Sequence, residues 1–176
     1  MKIETLLKTP WVSLRRMIDP DDGITGYDYL HENRCDGKIV AILPYRRIGE
    51  KIEYLLRNEV TPPWGWRQAV SSITGGVENN DVLGTAIHEV AEEAGYEVYE
   101  KEMIPLGTCR GTKSCDTMYY LYTVDLSNKD KTLDGSGDGS ELERKAECFW
   151  ADSIDNAVDP LVYVIKHKLI NHLIGG

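Results

Sequence analysis

The chain has 176 residues (19.9 kDa), a formal net charge of −9 and a pI near 4.9, with 41% hydrophobic and 28% charged residues. That balance is ordinary globular usage and excludes collagen-like and wholly disordered chains. The acidic surface disfavours nucleic acid and anionic membranes as partners. The longest apolar stretch, Ile39 to Leu43, is far shorter than the about 20 residues a bilayer span needs, and Met1 to Ile18 lacks the apolar segment of a signal peptide. Cys35, Cys109, Cys115 and Cys148 form no C-x-x-C pair, so free thiols in a reducing cytoplasm are expected. His31, His88, His167 and His172 form no ligand cluster, and any metal chemistry must come from carboxylates.

Residues 1–35 are polar and turn-rich, with short strand-like pieces such as Trp11 to Leu14. Two strands follow, Lys38 to Leu43 and Ile52 to Arg57, with Arg46 to Lys51 expected as a charged hairpin loop around Gly49. Thr61 to Trp66 holds two prolines and two tryptophans and reads as a stiff aromatic loop. A helix is expected from Val82 to Ala94, capped by Asn80 or Asp81 and closed by a left-handed Gly95. Strands are expected near Met103 to Cys109, Met118 to Asp125 and Glu147 to Ala151, with a Gly/Ser-rich loop from Ser127 to Glu143. A last helix runs from Pro160 to Ile174, with Pro160 at its first position and Leu161, Ile165, Leu169 and Leu173 on one stripe. Strands predominate over two helices, so the class is mixed α and β.

The first helix breaks local rules. Glu89, Glu92 and Glu93 fall on one arc of roughly 100°. Each like-charge pair at i,i+4 costs about 0.2–0.5 kcal/mol. The cluster also lies in the last turns, where the macrodipole prefers cations. Such conflicts concentrate at functional sites. A bound divalent cation turns the repulsion into coordination, and an all-oxygen set suits Mg²⁺ or Mn²⁺. The alternative is a solvated acidic face, common in a chain of this charge.

With Gly75-Gly76 ahead of the helix and Glu89-Val90-Ala91-Glu92-Glu93-Ala94-Gly95-Tyr96 closing it, the segment resembles the Nudix box, G-x5-E-x7-R-E-U-x-E-E-x-G-U, where U is bulky and aliphatic. Two positions depart from it: Asn80 stands at the first Glu and His88 at the Arg, and three residues instead of five separate Gly76 from Asn80. An Asn80–His88 hydrogen bond would substitute for the family's ion pair, since losing both partners costs less than orphaning one buried charge.

The resemblance implies an α+β fold, an α/β/α sandwich with a mixed central sheet between the Nudix helix and a C-terminal helix. Residues 1–35 would form an N-terminal β extension and 36–176 the hydrolase domain. It implies an enzyme acting on acid anhydrides in phosphorus-containing compounds, cleaving the pyrophosphate of a nucleoside diphosphate linked to another moiety. Glu89, Glu92, Glu93 and the Gly76 carbonyl would hold Mg²⁺ or Mn²⁺, and Glu141 or Glu143 would serve as general base. The stretch around Val40 to Arg46 and Leu55 to Glu59 is similar to ADP-ribose pyrophosphatases and nucleotide-sugar hydrolases, which implies a cytoplasmic homodimer paired through its N-terminal lobe. Arg57, with Glu59 beside it, would meet a phosphate, and Tyr45, Trp64 or Trp66 would stack on a base or pack as core. The Pro of that subfamily beyond the box is absent; Thr112 and Lys113 occupy its region. Other Nudix substrates, dinucleoside polyphosphates or triphosphates, and a catalytically degenerate nucleotide sensor are the alternatives.

Overall fold

A computed structural model of the chain describes residues 1–65, 68–135, 141 and 143–175. The first three strands, β1 (Lys2–Lys8), β2 (Val12–Asp19) and β3 (Ile24–Glu32), form an antiparallel meander. Asp19 to Gly23 turns β2 into β3, with Gly23 at φ 72°. The meander joins the rest of the chain through β3: Leu30 N–H donates to the Ser114 carbonyl at 2.9 Å, and Asp116 N–H donates to the Leu30 carbonyl at 3.2 Å. Beside that seam the buried His31 ring lies with Nδ1 2.9 Å from Asp116 Oδ2.

The remaining strands are β4 (Lys38–Ile42), β5 (Tyr45–Ile48), β6 (Lys51–Val60), β7 (Gln68–Ser71), β8 (Ile73–Gly76), β9 (Met103–Arg110), β10 (Met118–Val124) and β11 (Glu147–Ala151). One sheet has the order β8-β4-β10-β9, with β4 and β10 parallel; the other has the order β11-β6-β5, with β7 on β6. Period-two alternation divides their side chains between two cores. Val40, Ile42, Leu55, Ile73 and Val124 pack with Ala86, Val90 and Ala94 of the first helical segment. Ala41, Leu43, Tyr54, Leu56 and Leu121 pack with Leu161, Val162, Ile165 and Leu169 of the C-terminal helix. The class is α+β, as expected.

Helix α1 (Val82–Glu89) continues into a π-helical turn over Val90–Ala94, and α2 spans Pro160–Gly175. Both fall where the periodicity puts them. Asp159 caps α2: Oδ1 accepts from Leu161 N–H at 2.9 Å, while Oδ2 accepts from Ser72 N–H at 3.0 Å. The expected loop at Arg46 to Lys51 is instead mostly strand. Only Gly49 and Glu50 turn, with Gly49 at φ 61° and Ile48 paired to Lys51. Cross-strand partners offset the charge that suggested a loop. Arg46 Nη2 lies 2.6 Å from Glu53 Oε2, and its guanidinium stacks 4.3 Å from the Trp150 ring centre. Strands β7 and β8, only four residues each, are too short for sequence periodicity to reveal.

Candidate functional site

The acidic helix is held firmly at both ends. Asp81, not Asn80, is its cap, accepting from Gly84 N–H at 2.9 Å. Thr85 ties the preceding loop to the helix: its hydroxyl donates to the Asp81 carbonyl at 2.6 Å and accepts from Glu78 N–H at 3.2 Å. Gly95 takes the left-handed conformation at φ 80°, and its N–H returns to the Ala91 carbonyl at 3.1 Å. The chain from Lys131 to Gly135 folds over this end: Thr132 and Leu133 N–H donate to the Gly95 carbonyl at 3.0 and 3.1 Å.

The π turn occupies the acidic cluster itself, and such turns are frequent at functional sites. Glu92 lies outside, 3.3 Å from His88 Nε2, with both side chains substantially exposed. Glu89 lies on the sheet. A Cβ built on Gly75 would overlap the Glu89 carboxyl group, so the side chain rests against bare backbone where β8 pairs with β4. Glu93 is 9% exposed, with Oε2 2.9 Å from Arg57 Nη1. The Arg57 Nε lies 3.3 Å from Glu59 Oε2, and Glu59 Oε1 accepts the Ser71 hydroxyl at 2.8 Å.

Strand register builds this arrangement. On β6, Leu55, Arg57 and Glu59 share the face toward the acidic helix; Arg57 pairs with Ser71 of β7 and with Cys148 of β11. Burial pushes the Cys148 thiol up to about 12, with the Glu93 carboxylate adding to the rise and the Arg57 guanidinium opposing it. The Asn80–His88 hydrogen bond expected from the paired replacement is not made: Asn80 Oδ1 accepts from Lys38 Nζ at 2.6 Å, and His88 is turned to Glu92.

Other expected residues are placed as follows. Gly76 ends β8 against Ile39, next to the Gly75–Glu89 contact. Tyr45 is 3% exposed and packs in the core with α2, so of the two expectations it meets the packing one. Trp64 is exposed on a 3₁₀ turn, and Trp66 lies outside the described residues. Glu141 is exposed. Glu143 begins a 3₁₀ turn, Glu143–Lys145, that packs beside β6; its side chain lies outside the described residues. Gly75, Ser71 and Cys148 escaped sequence reasoning. Gly75 could have been found from the Gly-Gly pair; the other two needed the strand register.

Among the described residues, no three His, Cys, Asp or Glu side chains converge as a ready metal cage. The donor chemistry nonetheless fits a hard divalent cation: the Glu89 carboxyl lies on the half-buried Gly75 backbone, and Glu93 follows one turn later in the same helical segment. Glu92 is engaged elsewhere by His88. No helix among the described residues is long and apolar enough to cross a membrane.

No family model matches the sequence, and no curated protein matches it. Among solved structures, the chain is similar to the "Crystal structure of ADP compounds hydrolase", with TM-score 0.74 and 13% sequence identity, covering 99% of this chain and 93% of that one. Likeness at this identity speaks for the fold alone, and over nearly its whole length the chain shares the fold of that ADP compounds hydrolase.

Proposed function

We propose that the protein is a Nudix pyrophosphohydrolase that cleaves the pyrophosphate bond of a nucleoside diphosphate linked to another moiety, with ADP-ribose or a nucleotide sugar as substrate. The observation that carries the reading is the Glu89 carboxyl seated on Gly75, one turn before a buried Glu93. A surface acidic face would leave both groups in water. The fold neighbour, itself an ADP compounds hydrolase, supports the same class of substrate.

In this reading Glu89 and Glu93, with the Gly76 carbonyl and Glu92 as further oxygens, would hold Mg²⁺ or Mn²⁺, which supplies neutralisation of the charge that builds on the diphosphate. The chain's own groups do the rest. Arg57 supplies a counter-charge to the Glu93 carboxylate, with Nη1 2.9 Å from Oε2. Water attacks one phosphorus, the bond to the bridging oxygen breaks, and a carboxylate takes the water's proton. Glu143 or Glu141 fills that last role, a reading supported by the 3₁₀ turn from Glu143 packing beside β6, the strand that carries Arg57. The exposed Trp64 stands as the aromatic surface for a base. Ile3, Leu7, Trp11 and Leu30, exposed on the meander or beside it, support a homodimer joined through that lobe.

A second reading is a nucleotide-binding sensor without turnover. It is favoured by Glu92 being paired with His88 and by Asn80 bonding Lys38 in place of a supporting ion pair. A product-release panel separates the two. ADP-ribose, nucleotide sugars, dinucleoside polyphosphates and triphosphates are each incubated with and without Mg²⁺. Mg²⁺-dependent AMP from ADP-ribose is the expected result, and Glu93→Gln should lower it by at least about a hundredfold, as loss of one charge-stabilising group does. Nucleotide binding with no product from any substrate would favour the sensor.

A further inference from the structure

Arg57 is 3% exposed and spans two carboxylates, 2.9 Å from Glu93 and 3.3 Å from Glu59, while Ser71 holds Glu59 from the neighbouring strand at 2.8 Å. Its Nε and Nη1 both face carboxylates. To reach a phosphate it would have to leave both carboxylates and the sheet face that buries it. A cation in contact with Glu93 also opposes a second cation there, through direct competition for the oxygen and through repulsion.

We infer that Arg57 is a positioning residue that competes with the divalent cation for Glu93, and that Glu59 sets how firmly Arg57 leans on it. The inference rests on the metal-dependent reading of the acidic helix and deepens it: metal loading exchanges one counter-charge of Glu93 for another. Glu59 shares the guanidinium charge with Glu93. With Glu59 neutral, that charge falls more fully on Glu93 and disfavours the metal. With Arg57 neutral, competition and repulsion both vanish. Two neighbours on one strand face therefore act in opposite directions, which loss of packing would not produce.

The test is a Mn²⁺ titration of the full chain at pH 8, following free Mn²⁺ by electron paramagnetic resonance, with no substrate present. Arg57→Met should tighten Mn²⁺ binding by about tenfold or more, the scale of one nearby charge pair at a protein surface. Glu59→Gln should weaken it several-fold, and Arg57→Lys, which keeps the charge, should stay near wild type. Unchanged or weaker binding in a folded Arg57→Met protein overturns the inference while leaving the metal reading standing. If Arg57→Met does not fold, Glu59→Gln decides: tighter or unchanged binding there overturns the inference. Absence of Mn²⁺ binding in wild type and in every variant overturns the metal reading, and the inference with it.

Discussion

Gly75 is bare where a side chain would strike the Glu89 carboxyl. Its φ is not in the left-handed region, so alanine is tolerated by the backbone and only the contact is lost. Gly75→Ala should therefore displace Glu89 and cut metal-dependent turnover by at least about tenfold, while stability changes by only about 1 kcal/mol. Parallel activity and urea-unfolding measurements would check this; full activity would show that Glu89 need not sit there. Cys148 gives a pH expectation. Its thiol, pushed up to about 12 by burial, stays protonated in the folded protein where an unfolded thiol ionises near 8.5. Below about pH 8 both states hold the proton and the group adds no pH dependence. Between about pH 9 and 12 the unfolded chain binds fewer protons, so stability falls as pH rises. Cys148→Ala should flatten that part of the Tm–pH profile. At pH 7.5 the native thiol should also resist alkylation far longer than the unfolded one.

Among the elements, α2 is fixed by a cap that also ties it to a distant part of the chain. The Asp159 carboxylate both starts α2 and binds the Ser72 backbone and hydroxyl, the latter at 2.5 Å. Asp159→Ala loses a cap, worth about 0.5–2 kcal/mol, and leaves Ser72 polar groups buried at about 1–3 kcal/mol. A loss of roughly 2–4 kcal/mol in urea unfolding is expected. A loss below about 0.5 kcal/mol would mean the Ser72 tie contributes nothing. The acidic segment shows how local expectation and structure part. An ideal α-helix puts Glu89, Glu92 and Glu93 on one arc, whereas in the structure Glu92 meets His88, Glu93 meets Arg57 and Glu89 lies on Gly75. Val90 and Ala94 of the π turn are fully or nearly fully buried on the sheet, and Gly95 closes it at φ 80°.

For the molecule as a whole, the N-terminal meander hangs on the seam of β3 with residues 114–116 and on the His31–Asp116 contact. His31→Ala removes that buried polar tie and should raise amide exchange across β1 to β3, by the equivalent of about 1–2 kcal/mol, with little change in β4 or β10. Uniform acceleration throughout the chain would show that the meander does not open separately. The proposed homodimer has its own check. Light scattering should give twice the 19.9 kDa chain mass, and a charge at Leu7, which is 63% exposed, should halve it. A monomer at every concentration would remove the meander from the interface.

The order of amino acids alone locates the two helices, narrows the cap of the first to Asn80 or Asp81 and places its left-handed stop, and yields the strands at 118–124 and 147–151 and the α+β class. All of these depend on periodicity and on residues within a turn of one another. It also held the spacing of the acidic cluster, but not which carboxylates turn inward. That was decided by contacts between residues distant along the chain: Glu89 on Gly75, Glu93 on Arg57, and Arg57 between Ser71 and Cys148. Such partners are set by strand order and register, including the parallel pairing of β4 with β10. A one-residue slip would reverse every face, so only the assembled sheets specify the site.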